Sequence, residues 1–154
     1  LLALTPDDID FEAKTISITK TYHHLNGKQL ITDPKTAKSV RVVAIPDFLC
    51  EELKDYLKMC YGIKKTDRLF PTEKSSLARR LKASAERVGV KQIRVHDLRH
   101  SHISLLIHMG YSAVAIAERV GHESVEITYR YSHMFPSVQN NMAKTLDSLN
   151  GDEN

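Results

Sequence analysis

Apolar residues recur along the chain with two different periods, and the change between them separates a β part from a helical part. The first part alternates and is rich in β-branched residues, which is typical of strands. Asn26-Gly27 and the polar segment 33–39 are turn signals, and Pro46 ends the last strand. We therefore predict a small three-stranded antiparallel sheet near the N-terminus. Its strands are Thr15–Tyr22, Lys28–Thr32 and Val40–Ile45.

From Asp47 onward the apolar residues recur at helical spacing, and glycines stand where helices are expected to end. Asp47 is expected to cap the first helix. The fold class is thus α+β and mostly helical, with the sheet followed by a helical core. The segment Ser124–Tyr131 is predicted to be a short helix or a turn. The predicted helices are Asp47–Gly62, Leu77–Gly89, His96–Gly110, Ser112–Gly121 and a last one from Pro136 with an apolar stripe of Val138, Met142, Leu146 and Leu149.

Composition bounds the class of protein without identifying it. The 154 residues are 42% hydrophobic and 27% charged, as expected for one globular domain. No apolar run is long enough for a transmembrane helix, and two cysteines do not suggest a disulfide framework, so we expect a cytoplasmic protein. The net charge of +3, from 22 basic and 19 acidic residues, permits a nucleic-acid partner.

The start of the chain is not a signal peptide, because Leu1–Leu4 has no basic flank and Pro6 follows at once. The segment resembles the end of an amphipathic helix. We therefore expect further residues upstream.

Most of the candidate chemistry is concentrated between residues 96 and 133, where six of the eight histidines lie with three arginines. They allow three interpretations: a metal site, a helix-turn-helix and a site for phosphoryl transfer. The residues are His96, His100, His102, His108, His122, His133, Arg99, Arg119 and Arg130.

Two of these interpretations have weak support. His96 and His100 are four residues apart, as in a zinc-binding helix, but Asp97-Leu98-Arg99 lies between them, and an arginine on that face would repel a dication. Ala117–Gly121 has the small residue and glycine that a helix-turn-helix favours, with Tyr129 and Arg130 at the distance of a recognition helix. Many other helical hairpins share that pattern.

The third interpretation, phosphoryl transfer through a protein nucleophile, accounts for more of these histidines and arginines than the other two do. His96 and Arg99 share one face at a helix start, where a phosphate gains positive charge and backbone N–H groups. A tyrosine hydroxyl has a pKa of about 10, so it needs a base or a positive field to act as a nucleophile. Attack on a phosphodiester also requires positive groups that neutralise the charge on the non-bridging oxygens, and an acid that gives a proton to the leaving group.

The order and spacing of these residues resemble the signature of the tyrosine recombinase (phage integrase) family, and most closely integrases of conjugative transposons and temperate phages. The resemblance spans nearly the whole chain and includes one segment before the predicted sheet and one within it. The matching segments are Leu4–Phe11, Pro34–Arg41, Val95–His102, Gly121-His122 and Tyr131-Ser132-His133.

This resemblance implies a role for each of five residues. Tyr131 would attack the scissile phosphate and form a 3′-phosphotyrosine, while Arg99 and His122 would bind the non-bridging oxygens. His96 would assist proton removal from the tyrosine, and Lys35 would be the general acid for the 5′-hydroxyl. The covalent link retains the energy of the DNA bond, so neither a nucleotide cofactor nor a metal is expected. Tyr129 is the rival nucleophile, and Lys38 is the neighbour of Lys35.

The resemblance also sets expectations for the whole molecule. Residues 1–154 would be the C-terminal catalytic domain, truncated at its N-terminus, because the family's first arginine would lie upstream of Leu1. We expect little cleavage by this chain alone. Duplex DNA is the expected partner, bound by a homo-tetramer that exchanges C-terminal tails, with DNA-bending or excision factors as further partners and no membrane. A non-catalytic DNA-binding module and a type IB topoisomerase-like enzyme are the rival functions.

Overall fold

Strands come first and helices follow in the computed structural model, which describes residues 1–25 and 27–131 together with positions 142 and 146. Short 3₁₀ helices at Pro6–Asp8 and Ala37–Ser39 precede β1 and β5. The predicted last helix lies outside the described residues, apart from Met142 and Leu146. The elements are β1 (Ile9–Asp10), β2 (Thr15–Ile18), β3 (Thr21–Leu25), β4 (Lys28–Thr32), β5 (Arg41–Ala44), α1 (Asp47–Met59), α2 (Lys74–Val88), α3 (Asp97–His108), α4 (Ala113–Val120) and α5 (Val125–Tyr129).

A three-stranded antiparallel sheet near the N-terminus is confirmed, but its members differ from those predicted. The strand order is β1-β2-β5, with Thr15 opposite Ala44 and Ile18 opposite Arg41. β3 and β4 form a separate antiparallel hairpin. The prediction of one continuous strand over Thr15–Tyr22 is therefore wrong, and β1 was not predicted.

Lys20 accounts for the break between β2 and β3. Its Nζ lies 2.8 Å from Oδ2 of Asp8 and donates to Oγ1 of Thr5 at 3.1 Å. Asp8 is buried, and a buried carboxylate is stable only with such partners. The side chain of Lys20 thus ties the link between the two strands to the N-terminal 3₁₀ helix, a contact that alternation of apolar residues cannot reveal.

Local sequence explains most helix ends. Gly89 and Gly121 end α2 and α4 with φ of +70° and +66°, in the left-handed region that favours glycine. The Ser112 side chain caps α4 by accepting from the backbone of Ala115. The predicted cap at Asp47 is wrong, because Asp47 is the first residue of α1 and its carboxylate pairs with Lys14 at 2.8 Å.

The core that supports the site lies between α3 and α4. Four buried side chains form it, and Leu106 and Tyr131 pack against them. Burying such a side chain stabilises a fold by about 1.5–3 kcal/mol. Because α5 also packs against α4, the start of α3, the end of α4 and the end of α5 are held near one another. The four core residues are Ile103, Ile107, Ile116 and Val120.

Candidate active site

A cavity of about 550 Å³ opens where these three helix ends meet. Four of the five predicted site residues line it, and the fifth, Lys35, does not. Tyr131 is among the lining residues, whereas the rival Tyr129 is absent from them and 52% exposed. The geometry therefore favours Tyr131 over Tyr129. The lining residues are His96, Arg99, His100, His122, Ile127, Arg130 and Tyr131.

The start of α3 presents three of these side chains on one face. His96 occupies the N-cap position, and Arg99 and His100 follow on the first turn. Arg94 anchors this turn by pairing its guanidinium with Asp97 at 2.9 Å and by donating its backbone N–H to the same carboxylate. These bonds lower the pKa of Asp97 to about 2, so its charge persists at neutral pH.

Arg99 supplies a permanent positive charge inside the cavity. Its Nη2 donates to the backbone oxygen of Val120, the last residue of α4, at 2.6 Å. Burial lowers the pKa of Arg99, while the charge of an ionised Tyr131 acts in the opposite direction. A guanidinium remains charged in spite of such a shift. Arg99 is thus placed to stabilise negative charge on Tyr131 or on a bound phosphate.

His122 follows the glycine that ends α4 and is held in place by Thr128. Its Nδ1 is hydrogen-bonded to the hydroxyl of Thr128, a fully buried residue, at 2.8 Å. Nε2 is then the ring nitrogen left for a ligand. Burial, and then the charges of Arg99 and His100, lower the pKa of His122. The ring is therefore neutral at pH 7 and serves as a hydrogen-bonding group rather than as a cation.

Tyr131 meets a histidine that the sequence analysis assigned no role. Its hydroxyl is hydrogen-bonded to Nδ1 of His100, and the two rings are 5.8 Å apart. His96 contacts His100 edge-on, with ring centroids 4.9 Å apart. The sequence signal that could have pointed to His100 was its spacing, because it lies four residues after His96 and thus on the same helix face.

The lysine loop between β4 and β5 approaches the site through a different residue from the one predicted. Lys35 is exposed. Lys38 donates its Nζ to the backbone oxygen of Glu123 at 2.8 Å, directly after His122. Lys38 also lines a neighbouring cavity of about 350 Å³ with Arg41, Gly121 and His122.

Arg41 adds a second guanidinium beside the site. It donates Nε to the backbone oxygen of Arg119 and Nη1 to that of Ser39, each at 3.0 Å. Burial, and then the charge of Arg99, lower the pKa of Arg41, which places the two guanidiniums within interaction range. Both bind carbonyl oxygens at the C-terminal end of α4, where the helix dipole favours cations.

The metal and helix-turn-helix interpretations gain nothing from this geometry. Among residues 1–25 and 27–131, no three His, Cys, Asp or Glu side chains lie together in a way that could hold a metal ion. The helix after Gly121 spans five residues, about 7.5 Å, which is too short for a recognition helix that lies along the major groove. In the same part of the chain, no helix is long and apolar enough to cross a membrane.

Sequence comparison identifies the family. The model of the phage integrase family matches residues 1–137. The ICEBs1 integrase of Bacillus subtilis (strain 168) is 35% identical, over 97% of this chain and 44% of that protein. The integrase of Staphylococcus phage L54a is 32% identical, over 97% of this chain and 47% of that protein. The chain belongs to the phage integrase family, and it spans less than half the length of these relatives.

Solved structures agree with the fold. The Tn1549 transposon integrase in complex with a circular intermediate DNA matches with a TM-score of 0.77 at 17% identity, over 96% of this chain and 52% of that chain. The catalytic domain of bacteriophage HP1 integrase matches with a TM-score of 0.59 at 21% identity, over 99% of this chain and 75% of that chain. At these identities the likeness concerns the fold.

Proposed function

We propose that this chain carries the catalytic site of a tyrosine-type site-specific recombinase that cuts and rejoins duplex DNA. The observation that carries the proposal is the cavity that gathers Tyr131, Arg99, His96 and His122. It combines a nucleophile, a fixed positive charge and two imidazole groups that can form hydrogen bonds, which are the groups that attack on a phosphodiester needs. Family membership and relatives named as integrases support the same reaction.

The proposed reaction has two balanced halves. The Tyr131 oxygen attacks phosphorus as its proton passes to His96, the bond from phosphorus to the 5′-oxygen breaks, and that oxygen takes a proton from Lys35. Arg99 and Nε2 of His122 bind the non-bridging oxygens, where charge grows in the transition state. A different 5′-hydroxyl then attacks the phosphotyrosine, which releases Tyr131 and joins a new pair of strands.

Lys35 is proposed as the general acid for the 5′-oxygen, as the resemblance implies. It is not among the residues that line the cavity, so the proposal requires the loop between β4 and β5 to carry it inward when DNA binds. Lys38, whose Nζ is held by Glu123, is the matched comparison. Cleavage of DNA with a 5′-bridging sulfur, which needs no proton to leave, should restore the rate of Lys35→Ala. Restoration in Lys38→Ala instead would transfer the role to that residue.

The assembly is also a proposal. We expect a homo-tetramer on duplex DNA in the cytoplasm, with exchange of C-terminal tails and with DNA-bending or excision factors as further partners. Met142 and Leu146 belong to the predicted apolar stripe of the tail and are 53% and 66% exposed. Exposed apolar residues on one stripe suit packing against another subunit.

A covalent trap tests the proposed chemistry without knowledge of the target sequence. Nicked duplexes of randomised sequence, which lose the leaving strand after cleavage, are incubated with the full-length protein. Adducts that survive denaturation are then sequenced. Adduct should form with the parent protein and with Tyr129→Phe, and disappear with Tyr131→Phe.

Three other outcomes separate the rivals. Adduct that survives Tyr131→Phe but disappears in Tyr129→Phe would reassign the nucleophile. DNA binding without any adduct would indicate a non-catalytic binding module. Adduct followed only by relaxation of supercoiled DNA, with no exchange of strands between two duplexes, would indicate a topoisomerase-like enzyme.

A further inference from the structure

Arg130 lines the same cavity as Tyr131, yet the proposed reaction gives it no role. The residue is exposed, and its guanidinium forms no hydrogen bond or ion pair within residues 1–25 and 27–131. Glu126, four positions earlier, is the nearest acidic residue in the sequence, and no ion pair joins the two. A guanidinium has five N–H donors and stays charged at neutral pH. Arg130 therefore brings a charged group to the cavity whose donors that part of the chain does not use.

The charge of the cavity suits more than one phosphate. Arg99 and Arg130 both line it, and no carboxylate is among the described lining residues. Two positive charges in one cavity repel each other until anions enter between them. A single phosphodiester carries one negative charge, whereas these two arginines carry two permanent positive ones. The scissile phosphate alone therefore leaves one positive charge of the cavity without a counterpart.

Arg130 is also spaced from Tyr131 as neighbouring phosphates are spaced from each other. Arg130 ends α5 in a helical conformation, and the backbone N–H of Tyr131 donates to the oxygen of Thr128 at 3.0 Å, so the turn continues through both residues. Ile127, three residues before Arg130, lines the cavity as well. The Cα atoms of adjacent residues are about 3.8 Å apart. Consecutive phosphates of one DNA strand are about 3.4 Å apart along the helix axis.

We propose that Arg130 binds the phosphate next to the scissile phosphate on the same DNA strand. This inference rests on the proposed function, because the attack by Tyr131 defines which phosphate is scissile. In that reaction Arg99 and Nε2 of His122 bind the two non-bridging oxygens of the scissile phosphate, which leaves its neighbour for Arg130. Contacts to phosphates fix the position of a protein on its strand. Arg130 thus holds the strand in place beside the nucleophile and takes no part in the bond changes.

Substitution at 130 in the full-length protein separates binding from chemistry. Arg130→Gln removes the charge and should weaken DNA binding about 10- to 100-fold, the effect of losing a hydrogen bond between charged groups. The slope of log K against log salt should fall by about 1. The single-turnover rate of adduct formation at saturating DNA and the thermal stability should stay at the parent values, because the described part of the chain gives the guanidinium no partner.

Two further variants test whether the charge itself matters. Arg130→Lys keeps the charge, so it should keep the salt slope and lose only the part of the affinity that depends on the planar guanidinium. Lys58→Gln is the matched control, because it removes one charge that Asp55 already pairs at 2.8 Å. Its affinity and its salt slope should equal those of the parent protein.

A methylphosphonate scan locates the phosphate that Arg130 contacts. The duplex has a sequence recovered by the covalent trap, and one phosphate at a time, at or near the scissile position, is replaced by an uncharged methylphosphonate. At the phosphate that Arg130 binds, the replacement should weaken binding by the parent protein and have no further effect on Arg130→Gln. At every other position it should weaken binding by both proteins equally.

The outcomes distinguish this inference from the function on which it rests. Coupling between Arg130 and the phosphate on either side of the scissile one would support the inference. Coupling at the scissile phosphate, at a more distant phosphate or at none would overturn it and leave the recombinase proposal standing. A slower rate at saturating DNA with unchanged affinity would also overturn it, because Arg130 would then act on the transition state. Absence of Tyr131-dependent adduct in the parent protein would overturn both proposals together.

Discussion

At the scale of single residues, the site depends on histidines kept neutral by their surroundings. Burial, and then nearby cations, lower the pKa of both His102 and His122. Arg119 donates Nε to Nε2 of His102, a bond that requires an unprotonated nitrogen. His122 needs the same neutral state to use Nδ1 as an acceptor for Thr128 and Nε2 as a donor to phosphate.

These two histidines should make stability depend on pH in a defined window. Below an ordinary imidazole pKa of about 6.5, the unfolded chain binds protons at both rings more readily than the folded protein. The free energy of unfolding should therefore fall as pH is lowered through about 6.5. Urea unfolding between pH about 7.5 and about 5 measures this slope, above the range where carboxylates titrate. The double variant His102→Asn/His122→Asn should have a shallower slope, and an unchanged slope would contradict the assignment.

Thr128 gives a second prediction at this scale, because it holds the catalytic candidate His122 from a fully buried position. Thr128→Val removes the hydroxyl and leaves Nδ1 of His122 without its partner, at a cost of about 1–3 kcal/mol in the free energy of unfolding. Adduct formation should slow as well, because the ring loses its orientation. Thr128→Ser keeps the hydroxyl and is the control. Equal losses in the two variants would mean that packing of the methyl group, and not the hydrogen bond, matters.

At the scale of elements, the end of α4 is the point where the sheet, the lysine loop and the helices of the site are joined. Lys38, Arg41 and Arg99 donate to backbone oxygens of Glu123, Arg119 and Val120 respectively. Each cation comes from a different part of the fold, yet all three bind the turn that carries His122. The geometry of that turn therefore controls the position of several candidate groups at once.

Gly121 tests how tightly this turn is packed. A Cβ at Gly121 would lie 2.6 Å from Nη1 of Arg41, whereas a Cβ at Gly89, with similar φ, would meet nothing within 4 Å. Gly89→Ala should lower the free energy of unfolding by about 1 kcal/mol through left-handed strain alone. Gly121→Ala should cost about 2–4 kcal/mol, because Arg41 must also give up hydrogen bonds.

A double-mutant cycle isolates the contribution of Arg41. Adding Gly121→Ala to an Arg41→Ala background should cost no more than Gly89→Ala does, because the guanidinium that obstructs the Cβ is gone. Urea unfolding of the four proteins measures the coupling. Strict additivity would show that the obstruction at Gly121 comes from something other than Arg41.

The sequence predicted the positions of helices and strands better than it predicted which strands pair and which side chains meet. The helices between His96 and Tyr131 were predicted closely, because their apolar spacing and their glycine and serine caps are local signals. The pairing of β2 with β5 joins residues 23 or more positions apart, and the ion pair between Lys20 and Asp8 lies in the link that follows β2; neither leaves a periodic trace in the sequence. The same limit applies in the site: motif order selected Tyr131 and Arg99, but only the fold places His100 on the Tyr131 hydroxyl and Lys38 beside His122.

At the scale of the whole molecule, the modest net charge of +3 hides an uneven distribution. On α1, the two lysines each have an acidic partner on the same helix. Lys54 pairs with Glu51 and Lys58 pairs with Asp55, each at 2.8 Å. Beyond its first turn, α2 carries four exposed basic residues, and of these Lys82 alone has an acidic partner, Glu86 at 3.9 Å, among the described ion pairs. The four residues are Arg79, Arg80, Lys82 and Arg87.

If α2 faces the DNA backbone, its unpaired arginines should dominate the salt dependence of binding. Each phosphate contact adds about 0.9 to the slope of log K against log salt, so Arg79→Gln/Arg80→Gln should lower that slope by about 2 and weaken binding on every sequence alike. Lys54→Gln/Lys58→Gln removes the same charge from α1 and should leave the slope near its parent value. Fluorescence anisotropy with a labelled duplex over a series of salt concentrations measures both. A larger effect from the α1 pair would instead make α1 the helix that contacts phosphate.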